Sequence, residues 1–233
     1  MPTDAHGLRE HGFAPVVLPP VPAAVTAGFR DHHPYRTLRL RMSWTADDDW
    51  LFQYVPPSGP SGPGGGPVRD LADRRLAAAL GSLLRRTLSG PWLDVHADWL
   101  IGLHRTRTVA PAGATVRVEL PEPPPTDSEF TLVAVVAREG EGSLRSRLYG
   151  PGGSTAPLLE AAPRPGQGLL LDRRTVTDDL HELLAGPAGP VTQDLLTAHL
   201  SPAKTPMASA LRGRPMLVRG PAGTLLHTRP ALR

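Results

Sequence analysis

The longest apolar run in the chain, Phe130 to Ala137, is rich in β-favouring residues and is closed by Arg138-Glu139-Gly140, so it predicts a buried strand. Gly142 to Tyr149 continues it after a Gly-containing turn. Alternation is clearest over residues 35–44, where Leu38, Leu40, Met42 and Trp44 share one face and Arg39, Arg41 and Ser43 the other. Trp50 to Val55, with Gln53 in its middle, predicts a short aromatic strand. Residues 100–109 and 115–120 predict two more, the first placing His104 on one face with Thr106 and Thr108. A different period runs from Leu71 to Leu88, where Leu71, Leu76, Leu80, Leu83 and Leu84 form a stripe and predict a helix lying on a sheet. Residues 191–200 predict a short helix. Prolines interrupt Phe13 to Pro22, leaving an extended edge or a packed loop. Residues 165–172 predict a turn and a strand, and residues 214–218 and 224–228 two terminal strands.

Many strands divided by Gly/Pro turns, with one long helix, predict a mainly β protein with flanking helices, an antiparallel barrel or double-sheet sandwich. A doubly wound parallel fold would need regular helical crossovers. The 233 residues suit one domain over 1–233, with a flexible Gly/Pro-rich loop at 56–67 that lacks the Lys-Ser/Thr ending of a phosphate loop. The 28 prolines and 24 glycines carry no collagen-like period and predict frequent turns. Twenty-five basic against 22 acidic side chains give a net charge of +3 without a basic tract, so no nucleic-acid partner is expected. The absence of cysteine excludes disulfides, thiolate zinc sites and cysteine nucleophiles. No apolar span of membrane length and no signal peptide is found, so the expectation is a cytoplasmic protein that does not enter a membrane.

Candidate chemistry gathers around the Phe130 strand. Asp127 and Glu129 put carboxylates at its start, where a strand rim can line a pocket. Asp127, Glu129 and Asp178 are candidate acid/base groups, with His104 to move a proton or orient a substrate. Arg39, Arg41, Arg138 and Arg214, with Gln53, are candidates to hold a substrate carboxylate; a solvated sheet face is the alternative for the arginines. His96-Ala97-Asp98 has a spacing that would put two metal ligands on one side of a strand. Asp47 to Asp49 lacks the ligand pattern of a calcium loop and is read as a turn.

The order of features from Tyr35 to Val218 resembles the iron- and 2-oxoglutarate-dependent dioxygenases of the bacterial amino-acid hydroxylase group. It rests on the Tyr35–Trp44 strand, Phe52-Gln53-Tyr54, Trp99 to Arg107 with His104, the Leu120 to Arg138 region, Leu170-Leu171-Asp172 and Arg214 to Val218. The resemblance implies a double-stranded β-helix of the jelly-roll or cupin kind, in which a His-x-Asp pair and a distal histidine bind iron and an arginine binds 2-oxoglutarate. Pro125-Thr126-Asp127 falls where His-x-Asp is expected, so Asp127 is kept and the first ligand is proline. The distal position falls near Thr177 or Asp178, with His181 one short shift away. Arg214 matches the cosubstrate arginine, and Arg138-Glu-Gly-Glu-Gly142 the usual Arg-Asn-x-x-Gly-Gly segment. A metal held by Asp127 and Asp178 would be a hard divalent ion, since two carboxylates replace imidazoles.

Three functions are compatible with these residues. The first is a small-molecule biosynthetic enzyme on a dioxygenase-like scaffold whose ordinary iron chemistry is lost or replaced, acting on an amino-acid-like or other carboxylated substrate, with no cofactor as one option and Fe(II) with 2-oxoglutarate as the other, and a homodimer as a candidate assembly. The second is a working Fe(II)/2-oxoglutarate hydroxylase with ligands relocated to His96, Asp98 and His181 or His199. The third is a non-catalytic binding or scaffold protein.

Overall fold

The computed structural model describes residues 5–30, 38–45, 49–55, 67–88, 93–119, 127–151 and 155–203. In chain order the elements are α1 (Ala5–His11), β1 (Phe13–Val17), α2 (Ala23–Arg30), β2 (Leu38–Trp44), β3 (Trp50–Val55), α3 (Pro67–Thr87) and β4 (Trp99–Ala110). There follow β5 (Thr115–Arg117), β6 (Phe130–Glu139), β7 (Gly142–Tyr149), β8 (Leu159–Ala161), β9 (Gln167–Asp172), β10 (Asp178–Ala185) and β11 (Val191–Pro202).

From β4 onward the chain crosses repeatedly between two antiparallel sheets. The larger runs β1-β9-β6-β11-β4-β2-β3 and the smaller β5-β10-β7-β8. Strands β4, β11, β6 and β9 face β5, β10, β7 and β8, and the chain visits the two layers in the order of a double-stranded β-helix. This is the jelly-roll, cupin-like architecture. Strands β1, β2 and β3 widen the large sheet beyond those four.

Alternation decides what each face meets. On the outer face of the large sheet, Leu40, Met42, Ile101, Leu103, Leu132, Ala134, Leu196 and Leu200 pack with Phe29 of α2 and Leu80, Leu83 and Leu84 of α3. Burying each such leucine contributes about 2 kcal/mol, which is why the stripe of α3 holds the helix to the sheet. Pro67 opens α3, where the missing N–H of proline costs nothing. Between the sheets, Val133, Val135, Val191 and Leu195 meet Val118, Leu144 and Leu183, and Leu169 and Leu171 meet Leu148 and Val176.

The expected helix at 191–200 is instead β11, the central strand. Leu196, Ala198 and Leu200 point outward, Leu195, Thr197 and His199 inward, and all are buried. A strand buried on both faces reads as a nearly continuous apolar run, and the period of two is lost. The register shift opposite Asp194 and Leu195 falls on β6, where Val136 is the extra residue, and β11 itself pairs with β4 without a break. Two elements at the start of the chain, α1 and α2, carry too few apolar positions for a clear helical period. The prolines of the opening segment sit on or beside β1, an edge strand, as expected. The loop over 56–66 and the terminal strands at 214–218 and 224–228 lie outside the described residues.

Gly168 marks a close approach of β9 to β6. A Cβ there would lie 2.5 Å from the Val133 carbonyl oxygen and 2.8 Å from the Ala134 Cβ. Gly168→Ala is expected to destabilise the protein by about 1–3 kcal/mol through backbone displacement in the core sheet, read by urea denaturation. Substituting alanine for Gly189, where a Cβ meets nothing within 4 Å, should leave the midpoint nearly unchanged.

Candidate functional site in the barrel interior

The register of the large sheet aligns one row of inward-facing positions. Arg39 is paired with Gly102, Gly102 with His199, His199 with Thr131 and Thr131 with Leu171. In the next row His104 is paired with Thr197 and Thr197 with Val133. Residues directly opposite in neighbouring strands share a face, so these pairs bring His104 and His199 together. Their ring centroids are 5.4 Å apart and edge to face, and both side chains are buried.

The small sheet supplies a second polar group from the opposite side. Asp179 and His181 are two apart on β10, and Ser146 of β7 faces His181. His181 Nδ1 lies 2.9 Å from Ser146 Oγ, and Nε2 lies 2.8 Å from Asp179 Oδ2. Arg173, in the turn after β9, donates through Nη1 to Asp179 Oδ1 at 2.9 Å. The Asp179 and Arg173 side chains are 9% and 10% exposed, so this is a buried ion pair extended through an imidazole to a hydroxyl.

Charge and burial set the protonation of the two layers in opposite senses. Burial works to raise the Asp179 carboxyl but is outweighed by the His181 hydrogen bond and charge and by the Arg173 cation, which bring it down to about 2. His199 is lowered to about 4, mainly by burial and then by the neighbouring charges of His104 and Arg173, against the opposing pull of Asp179. At neutral pH, therefore, His199 is an uncharged imidazole. Its Nδ1 meets Thr131 Oγ1 at 3.1 Å, while its Nε2 is buried and has no hydrogen-bond partner. The hydroxyls of Thr197 and Thr106 and the Gln193 amide nitrogen are likewise buried and unpartnered along the same inner face. Buried polar atoms left this way cost about 1–3 kcal/mol each unless a bound molecule satisfies them.

The residues expected from sequence fall in several places. Arg39 is on the inner face, exposed, and has no hydrogen-bond or ion-pair partner among the described residues. Arg41, on the same face and opposite Gln53, is held by Asp98 at 2.6 Å. Arg138 spends its nitrogens on Gln193 Oε1, the Gly142 carbonyl and the Pro163 carbonyl, at 2.7, 3.1 and 3.1 Å. It braces the end of the barrel away from His199. Asp127 is exposed ahead of β6 and accepts from Ser201 Oγ at 3.4 Å, and Glu129 lies 3.8 Å from Arg174. Asp178 opens β10 opposite Tyr149. His96 is exposed in a turn rather than on a strand, and so does not share a strand face with Asp98. Arg214 and Pro125 lie outside the described residues.

An iron site of the kind the resemblance implies does not fit this donor set. Both ring nitrogens of His181 and both oxygens of Asp179 are already engaged within the protein. Asp98 is committed to Arg41. Among the described residues no group of three His, Asp or Glu side chains could hold a metal ion. Ser146, Thr131, Arg173, Asp179 and Thr197 were not singled out from sequence as site residues. The Asp179-x-His181 spacing was a visible signal, but its partners on β7 and in the turn after β9 come from the fold alone.

No family model matches the chain, and no curated protein matches it. Solved structures do. IDO from Bacillus thuringiensis is 11% identical with a TM-score of 0.50, covering 85% of this chain and 93% of its own. A bsmA homolog from Methylobium petroleophilum is 18% identical over 83% of this chain and 90% of its own, with a TM-score of 0.42. The Fe(II)/α-ketoglutarate-dependent dioxygenase TqaL is 14% identical over 76% and 73%, with a TM-score of 0.37. Of the three, IDO is near enough in shape to speak to the fold, and at 11% identity the likeness goes no further. This chain is thus a double-stranded β-helix protein with a polar barrel interior. Among the described residues no helix is long and apolar enough to cross a membrane.

The two shifted groups make stability fall in acid in two windows. Between an unfolded value of about 6.5 and a folded value of about 4, unfolded His199 binds a proton that the folded form refuses, so stability should drop as pH falls across that range, by about 3 kcal/mol. Asp179 stabilises the fold above its unfolded value near 3.8, and that contribution, about 2 kcal/mol, is lost as pH falls towards 2. Urea denaturation across this range should show both limbs, and His199→Gln should remove the upper one. An upper limb that survives unchanged in the variant would assign it to another group.

Proposed function

We propose that the protein is a small-molecule enzyme that carries out proton transfer on an amino-acid-like or other carboxylated substrate inside the barrel, without the iron chemistry of the dioxygenases it resembles. The observation behind this reading is the free Nε2 of the buried, neutral His199. A buried, uncharged imidazole nitrogen with no hydrogen-bond partner among the described residues is a group able to accept a proton from a bound molecule. Its tautomer follows from Thr131. When Nδ1–H donates to Thr131 Oγ1, Nε2 presents a lone pair; when the hydroxyl donates to Nδ1, Nε2 carries the hydrogen. The same nitrogen therefore serves as base or acid according to the turn of one hydroxyl.

His104, edge to face with His199, is the second candidate to hold or pass the proton. Arg173 and Asp179 act at longer range, the cation lowering and the carboxylate raising the proton affinity of His199. A carboxylated substrate would add a negative charge beside this imidazole and raise its affinity towards the value a working base needs. Proton abstraction of this kind serves isomerisation, elimination and cyclisation alike.

Deuterium exchange tests the reading without requiring the product to be known. Metal-stripped protein in D2O with a panel of amino acids, 2-hydroxy acids and 2-oxo acids should place deuterium on a carbon of at least one of them, read by mass spectrometry. His199→Gln should reduce that rate by roughly 10²- to 10⁴-fold, with the fold retained by circular dichroism. Exchange or turnover that appears only after adding Fe(II) and 2-oxoglutarate would instead support the hydroxylase with relocated ligands. Binding with no exchange in either condition would support a non-catalytic role.

A further inference from the structure

Four arginines were candidates to hold a substrate carboxylate, and three of them carry nothing further here. Arg41 is neutralised by Asp98, Arg138 is tied to three internal acceptors, and Arg214 lies outside the described residues. Arg39 differs from the two described ones. It is exposed, has no partner among the described residues, and stands on the inner face in the row that leads to His199. The position between them on β4 is Gly102, half-buried and without a side chain.

We propose that the inner-face row Arg39–Gly102–His199 is the carboxylate subsite of the enzyme, with Arg39 holding the carboxylate, and that its ligand is a short carboxylic acid reacting at a carbon close to the carboxyl group. This rests on the proton-transfer reading above and assigns the substrate's orientation within it. Arg39 and His199 are two strand spacings apart, about 10 Å between backbones. A carboxylate bound to a guanidinium leaves room in that span for one or two carbon atoms before the imidazole. Arg39 supplies the charge that the interior lacks, because the other cation facing His199 from the small sheet's side, Arg173, is already paired with Asp179 at 2.9 Å. Thr197, paired with His104 and itself buried with an unpartnered hydroxyl, offers a further hydrogen bond to a polar substituent on the ligand.

The titratable and charged groups facing His199 are His104 from its own sheet and Arg173, Asp179 and His181 from the turn after β9 and from β10. Of these, Arg173, Asp179 and His181 are engaged with one another and do not compete for the ligand.

The test uses propionate, lactate and alanine as probes, with propionamide as the uncharged control, by calorimetry and by the ring ¹H–¹⁵N signals of His199. At least one carboxylate should bind and shift those signals, and propionamide should not. Arg39→Gln should weaken binding roughly 10- to 100-fold, the loss expected for a hydrogen bond to a charged group. Gly102→Val should do the same by placing a side chain between Arg39 and His199 on the shared face, while Arg164→Gln, which removes an equal charge from an exposed position elsewhere, should change nothing. Binding that is unchanged in Arg39→Gln, or a failure of every carboxylate to bind, would overturn the proposal. If Gly102→Val does not fold, Arg39→Gln decides alone. Deuterium exchange lost in His199→Gln but intact in Arg39→Gln would remove this subsite and leave the proton-transfer reading standing.

Discussion

Strand β11 has water on neither side, and that constraint shapes most of the molecule. Its backbone is shared between β4 and β6 along nearly its whole length. Its outward residues Leu196, Ala198 and Leu200 are sealed by the layer that contains α2 and α3. Its inward residues must then either join the apolar packing, as Val191 and Leu195 do, or find polar partners inside the barrel. Gln193 and His199 each find one for one of their two polar side-chain atoms, while Thr197 finds none. A strand in this position that carries three polar side chains inward sacrifices stability at each, and a protein selected for stability alone would carry leucine or valine there. The polar stripe is therefore the part of the core that folding does not explain.

The Arg173–Asp179–His181–Ser146 chain obeys the same logic from the facing sheet. Desolvating an ion pair is costly, and a well-packed apolar replacement is often at least as stable. Here each member is satisfied: the carboxylate by a guanidinium and an imidazole, the imidazole by a carboxylate and a hydroxyl. A fully satisfied network is rigid, and this one fastens the turn after β9 to β10 and β7. Its charge reaches further than its contacts do, since both Arg173 and Asp179 act on the proton affinity of His199.

What the sequence disclosed follows from which residues see one kind of neighbour on each face. Strands β2, β4 and β6 were legible because alternation or a long apolar run marked them, and α3 because its leucines recur at helical spacing. The side of His104 was legible too, since it needs only the period of two. The sequence of β11 reads as a helix because burial on both faces erases that period. Pairings across strands were out of reach: nothing in the chain says that Gly102 stands between Arg39 and His199, 60 and 97 residues away respectively by their numbers. The same is true of Arg41 and Asp98, whose ion pair turns a candidate substrate anchor and a candidate ligand into a structural contact.

The double-stranded β-helix and the chemistry it hosts depend on different residues. The fold needs apolar side chains on alternating positions of eight strands and a few close backbone approaches such as Gly168, and all of these are present. A facial metal triad needs three particular side chains with free lone pairs converging on one point, and the donors nearest that requirement, His181 and Asp179, are bound to each other. The scaffold does not need those three side chains, so the fold can be built with or without a metal triad on its inner face. Proton-transfer chemistry without a metal has to draw charge and a proton acceptor from the protein itself. The inner face of this barrel holds both, a guanidinium at Arg39 that has no partner among the described residues and an uncharged imidazole at His199, with Gly102 between them in the row.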